Sequence, residues 1–208
     1  MGKIFKCFVF SITMLMVGCS ETYTNKEIVN VSKGIDVGVI RIEAINKLNN
    51  HSKLISHGSG FVTTCSKLGT VIVTAAHILS DKYDYLDFKD SKRNSLNINY
   101  GRVHILPDDV ALIEVKSGNI RPLRRSSLKS IGDPVVAMGY PSNSELRESK
   151  GKVISRMIHT SSDVDMGMSG GPVFDRHGNV VGIITLIRYG HDDNGEQVKT
   201  SFISPVDF

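Results

Sequence analysis

The sequence predicts an all-β domain, and two observations carry that reading. From Asp36 onward the chain is a series of short apolar runs bounded by Gly, Asn, Asp and Pro, the pattern of a sandwich or barrel. No stretch keeps the three-to-four-residue apolar period of a long amphipathic helix. In chain order, strands are expected over 37–43, 60–64, 71–74, 103–106, 111–115, 134–138, 152–156, 172–174, 180–186 and 201–203. Ala75 to Leu79 has room for one helical turn after a strand.

Ahead of that domain, residues 1–18 read as an export leader. Lys3 and Lys6 form a basic start, and an apolar stretch from about Cys7 to Val17 leads into Gly18-Cys19. That stretch falls short of the roughly 20 apolar residues of a membrane span. Met16-Val17-Gly18-Cys19 has the look of a bacterial lipobox, so Cys19 is expected to carry lipid as the mature N-terminus. An ordinary signal peptide with a cysteine in its tail is the alternative. Residues 19–33 are mostly polar and form a tether, and the folded domain occupies 34–208. Cys65 is then the one thiol of the domain, which excludes an internal disulfide. Its place in the apolar run Phe61-Val62-Thr63-Thr64-Cys65 marks it as a small buried hydrophobe.

With 208 residues, 40% hydrophobic and 22% charged, the chain has ample material for a core. The net charge of +4 falls by two once Lys3 and Lys6 leave, too little to argue for a nucleic-acid partner. Arg121, Arg124, Arg125 and Lys129 read as a solvated strap. The histidines outside the motif below, at 51, 57, 104, 159, 177 and 191, show no zinc spacing, so neither a metal nor a cofactor is expected.

Chemistry enters with three short motifs: Thr74-Ala75-Ala76-His77, Asp109-Val110-Ala111-Leu112-Ile113 and Gly167-Met168-Ser169-Gly170-Gly171-Pro172. A serine hydroxyl is a poor nucleophile near neutral pH. It needs an imidazole to take its proton and a carboxylate to hold that imidazole in the right tautomer. His77, Asp109 and Ser169 supply all three parts. Gly167-Met168-Ser169-Gly170-Gly171 also fits the G-x-S-x-G elbow of lipases, whose acid and histidine follow the serine. The short tail after Ser169 has no room for that fold, although it holds Asp175, His177, His191 and Asp192.

The order His, Asp, Ser resembles the trypsin-like serine peptidases, and most closely the disulfide-free HtrA/Deg branch. Further matches are Gly58-Ser59-Gly60-Phe61-Val62, Gly132-Asp133-Pro134-Val135, Ala137-Met138-Gly139-Tyr140-Pro141 and Gly151-Lys152-Val153-Ile154-Ser155. The resemblance implies two six-stranded antiparallel β-barrels, over about 34–118 and 126–208, with the active site between them. It selects Asp109 over Asp108 because the family places its acid directly before such a strand, buried against the imidazole. It also assigns the oxyanion hole to the backbone N–H groups of Gly167 and Ser169.

By spacing, Asp163 falls where trypsin carries the acid that receives Lys or Arg. Ile184 to Ile187 would instead give the pocket apolar walls, so a small-to-medium apolar P1 residue is expected, with a basic one as the alternative. Met168 replaces the aspartate that pairs with a newly cut N-terminus in animal relatives, so no zymogen cleavage is expected. No PDZ domain fits before Phe208. The expected activity is a serine endopeptidase acting on polypeptides through an acyl-enzyme. It would be lipid-anchored in a bacterial envelope, on the periplasmic face of the outer membrane because Ser20 follows the cysteine. A catalytically idle protease-fold lipoprotein that binds peptides or a partner protein is the competing expectation.

Overall fold

The computed structural model describes residues 38–49, 51–127, 130–142, 145–155, 159–160, 164–191 and 197–206, with backbone only at 159–160, 188–191 and 197–200. The leader, the tether, Cys19, Lys129, Arg156 and Asp163 lie outside the described residues. Two six-stranded antiparallel sheets make up the fold, as in a chymotrypsin-like double barrel. The first contains β1 (Val39–Leu48), β2 (His51–Cys65), β3 (Gly69–Ala75), β4 (Tyr85–Lys89), β5 (Asn99–Leu106) and β6 (Val110–Ser117), in the order β4-β1-β2-β3-β6-β5. The second contains β7 (Pro134–Gly139), β8 (Arg147–Lys152), β9 (His159–Thr160), β10 (Pro172–Phe174), β11 (Val180–His191) and β12 (Gln197–Pro205), in the order β8-β7-β10-β11-β12-β9.

Period-two alternation sorts the side chains into three apolar clusters. In the first sheet Ile40, Ile42, Val62, Ile72 and Ile113 point into one core. Their neighbours Val39, Phe61, Val71, Val73 and Leu112 point the other way, onto a seam completed by Val136, Met138, Phe174 and Ile183 of the second sheet. Val135, Ala137, Val173, Val181 and Ile184 fill the second core. Central strands therefore bury both faces, which is why they read as nearly unbroken apolar runs. Each such Val, Leu, Ile or Phe contributes about 1.5–3 kcal/mol on leaving water. A seam of this many side chains fixes the two lobes against each other, the condition for a site shared between them. The strap adds hydrogen bonds: Leu123 N donates to the Val62 carbonyl at 2.7 Å, and Arg125 donates to the carbonyls of Val206 and Thr64 at 2.6 and 3.2 Å.

Strand expectations hold except at three places. The strand expected over 152–156 is displaced to β8, Arg147–Lys152, which buries only Ser149 and offers no apolar signal. It forms because its backbone completes the ladder beside β7. β4 was not expected, although Tyr85-Leu86-Asp87-Phe88-Lys89 alternates and buries Leu86 and Phe88. β9 is too short to leave a sequence trace. Cys65 is free and buried, as its apolar context implied.

Candidate active site

His77, Asp109 and Ser169 arrive at one cleft from separate elements. His77 lies on the 3-10 turn Ala76–Leu79 after β3, where a helical turn was expected. Asp109 lies on the turn between β5 and β6, and Ser169 on the loop before β10. All three line an open cleft of about 1020 Å³.

Asp109 grips His77 twice. Its Oδ1 accepts the His77 backbone N–H at 2.8 Å, and its Oδ2 lies 2.6 Å from the imidazole Nδ1. A carboxylate in that position holds the ring proton on Nδ1 and leaves Nε2 as the acceptor. Asp108 and Asp109 both take left-handed backbone, at φ 59° and 61°. Such a conformation costs about 1–2 kcal/mol for most L-residues, and aspartate tolerates it better than most. The turn is held from outside: Ser204 Oγ donates to the Asp108 carbonyl at 2.5 Å, and Ala76 N donates to the Asp109 carbonyl at 2.8 Å. The Asp109 side chain keeps 32% of its exposure, more open than the burial expected of it, because its turn sits at the mouth of the cleft. Among the described residues no hydrogen bond joins the His77 ring to the Ser169 hydroxyl.

The backbone partners around Ser169 show how its loop is held. The Met166 carbonyl accepts from Ser142 N at 2.9 Å and Ser142 Oγ at 3.1 Å. The Gly167 carbonyl accepts from Ser59 Oγ at 2.8 Å, and the Ser169 carbonyl from Ser59 N at 2.7 Å. Met168 N donates to Asp165 O, Gly170 N to Ile184 O and Gly171 N to Met168 O. Among the described residues no acceptor meets the amides of Gly167 and Ser169, nor that of Met166. Each peptide plane is pinned through its carbonyl, so its N–H points the opposite way. Gly167 and Gly170, at φ 95° and 80°, permit the sharp path.

Met168 is fully buried in the second core, where an ion-pairing aspartate would be out of place. An Arg147–Asp165 ion pair flanks it. The apolar cleft wall comes from Met166, Leu186, Ile187 and Phe202. Ile187 lines the cleft, whereas Ile184 is fully buried in the second core and bonds Gly170 and Gly171 of the loop through its backbone.

Three further residues belong to the site without having carried a motif of their own for it. Ser59 and Ser142 hold the loop, and His57 lines the cleft beside Gly167. A Cβ on Gly167 would come within 3.0 Å of His57 Nε2. Burial, followed by the nearby Arg41 charge, holds His57 below its ordinary value of 6.5 against the opposing pull of Glu43, so the ring favours its neutral form. Spatial contact alone identifies Ser142 and His57, whereas Ser59 stood in the matched run Gly58-Ser59-Gly60-Phe61-Val62 with no role assigned to it. Among the described residues no group of three His, Cys, Asp or Glu could hold a metal ion.

The family described as trypsin-like peptidase domain matches residues 58–183. The chain is 27% identical to Protease Do-like 5, chloroplastic, of Arabidopsis thaliana, over 86% of this chain and 66% of that one. It is 30% identical to a probable periplasmic serine endoprotease DegP-like of Pseudomonas putida (strain GB-1), over 73% and 33% respectively. With Serine protease HTRA1A of Danio rerio it shares 28% identity, over 80% and 38%. It thus spans about two thirds of the first relative and well under half of the other two.

Proposed function

The chain belongs to the trypsin-like peptidase family, and from that premise we propose that it is a serine endopeptidase cleaving polypeptides through an acyl-enzyme. In this reading His77 Nε2 takes the proton from Ser169 Oγ as the hydroxyl attacks the scissile carbonyl. Asp109 keeps the imidazole in the accepting tautomer and stabilises the imidazolium. The negative charge on the carbonyl oxygen is met by the N–H groups of Gly167 and Ser169. His77 then gives its proton to the leaving amine, and water repeats the sequence on the acyl-enzyme. The observation that carries the reading is a pair of amides without an acceptor, Gly167 N and Ser169 N, in the same cleft as the His77–Asp109 pair, each on a peptide whose carbonyl is hydrogen-bonded. Preorganised donors of this kind act at the moment charge develops and cost no rearrangement. The apolar wall of Met166, Leu186, Ile187 and Phe202 supports a preference for an apolar P1 side chain.

The periplasmic designation of the Pseudomonas putida relative agrees with export, and the Met16-Val17-Gly18-Cys19 motif supports a lipid on Cys19 and residence at the outer membrane of a two-membrane envelope. Intact-mass analysis should find that lipid, and an unmodified mature N-terminus would remove the anchor from the proposal.

The missing hydrogen bond between His77 and Ser169 favours the rival reading, an idle fold that binds peptides. Catalytic hydrogen bonds are often long in the absence of substrate, so labelling decides between the two. A fluorophosphonate probe should modify the purified protein and leave a Ser169→Ala control untouched. A native protein that never labels would leave the idle binder standing.

A further inference from the structure

Gly58-Ser59-Gly60 lies in the sequence well before Ser169, yet Ser59 bonds the oxyanion loop directly. It is fully buried, and each of its polar groups is engaged. Ser59 Oγ donates to the Gly167 carbonyl at 2.8 Å and accepts from Tyr140 N at 2.8 Å. Ser59 N donates to the Ser169 carbonyl at 2.7 Å, and its own carbonyl accepts from Thr74 Oγ1 at 2.7 Å. The flanking glycines allow this close approach: a Cβ on Gly58 would lie 2.9 Å from the Ser169 carbonyl oxygen, and one on Gly60 would lie 2.8 Å from that of Val73.

Ser142 closes the loop from the other side. Its N and Oγ both donate to the Met166 carbonyl, and its own carbonyl accepts from Arg41 Nη2 at 3.3 Å. Arg41 pairs with Ser59 across β1 and β2 and is itself buried, with Nε on Glu43 and Nη1 lacking a partner among the described residues. A buried cation with an orphaned N–H is a poor device for stability alone. Its placement instead holds Ser142, and Ser142 holds the peptide that carries the Gly167 amide.

We propose that Ser59 and Ser142 are positioning residues for the oxyanion hole: two serine clamps, one from each sheet's side of the seam, that pin the Met166 and Gly167 carbonyls. Fixing the Met166 carbonyl aims the Gly167 amide of the same peptide, and fixing the Gly167 and Ser169 carbonyls holds the two peptides that flank the one carrying the Ser169 amide, so both donors stay aimed at the cleft without an ion pair at position 168. Loss of the Ser142 clamp lets the plane of the Gly167 amide rotate, and loss of the Ser59 hydroxyl loosens the peptide next to the one that carries the Ser169 amide, so a donor is misplaced when charge develops while substrate binding is little changed. The inference rests on the protease reading for its kinetic consequence and on structure alone for its dynamic one.

Two readouts on the full chain separate these. Hydrogen–deuterium exchange over residues 164–171 should be faster in Ser59→Ala and in Ser142→Ala than in the unmodified protein. On a peptide substrate kcat should fall about 10- to 100-fold, less than or equal to the loss of a whole oxyanion donor, with KM moving less than about threefold. Ser142 is partly exposed, so its variant stays informative if the buried Ser59→Ala chain fails to fold. Unchanged exchange in a folded variant, or KM rising with kcat constant, overturns the clamps. If the unmodified protein turns over nothing, the protease reading falls, and the exchange measurement still decides for or against the clamps.

Discussion

Replacing Asp109 by Asn tests the catalytic geometry with a change of one atom's chemistry. The carboxylate now accepts two donors at once, the His77 backbone N–H at 2.8 Å and the imidazole at 2.6 Å. A carboxamide has one oxygen for these two places. Turning its NH₂ toward the fixed backbone N–H would leave a donor unsatisfied, at a cost of about 1–3 kcal/mol. The oxygen therefore stays with the backbone, and the NH₂ faces Nδ1. Nδ1 must then accept, the ring proton moves to Nε2, and the nitrogen meant to receive the Ser169 proton is already occupied. In a comparable triad this tautomer error lowers kcat by about 10⁴, equivalent to about 5.4 kcal/mol in the barrier. The labelling rate with a fluorophosphonate and the turnover of a peptide substrate near neutral pH should both show it. Urea unfolding should stay close to that of the unmodified protein. Turnover within tenfold of the unmodified protein would refute the assignment of the tautomer to Asp109.

Three other outcomes follow from the same structure. Gly170→Ala should destabilise the fold by about 2–5 kcal/mol, measured as a lower urea midpoint, since its φ is 80° and its Cβ would fall 2.2 Å from the Ser59 carbonyl and 2.4 Å from Thr74 Oγ1; a neutral effect would contradict that packing. Stability should drop on acidification. His57 is held below 6.5, so the unfolded chain binds its proton more tightly, and the stabilisation present above 6.5 is lost as pH falls through the folded value. Burial would raise Glu43, but hydrogen bonds from Lys89 and Arg41 outweigh it and hold the carboxyl below 4.5, which repeats the loss in a lower window. Urea midpoints that stay flat from neutral pH to the acid range, or that fall equally in His57→Gln through the upper window, would contradict the sign. Profiling with a peptide library should find cleavage after apolar residues, whereas dominant cutting after Lys or Arg would assign the pocket to Asp163.

The clearest sequence information lay where chemistry and packing are local. Runs such as Val71-Ile72-Val73 announce strands buried on both faces, because every side chain along them must be apolar whichever way it points. His77, Asp109 and Ser169 were legible because each sits in a motif whose neighbours serve the same turn or strand. Weak local signals failed where backbone pairing did the work: Arg147–Lys152 is polar almost throughout and becomes a strand only because β7 presents an unpaired edge to it.

What tertiary structure alone decided is the company each residue keeps. Ile184 and Ile187 look alike in sequence, yet Ile184 is fully buried in the second core while Ile187, beyond the bulge between Ile184 and Leu186, is only partly buried against that core and also lines the cleft. Ser59 and Gly167 are 108 positions apart, and Ser142 and Met166 are 24 apart. The sequence by itself determined the all-β class, because residue type and short-range spacing suffice for it, and it pointed to His77, Asp109 and Ser169 through their motifs and the family likeness. Hydrogen bonds between distant segments depend on how the two sheets meet along their apolar seam, and that meeting alone decided which amides were left facing the cleft.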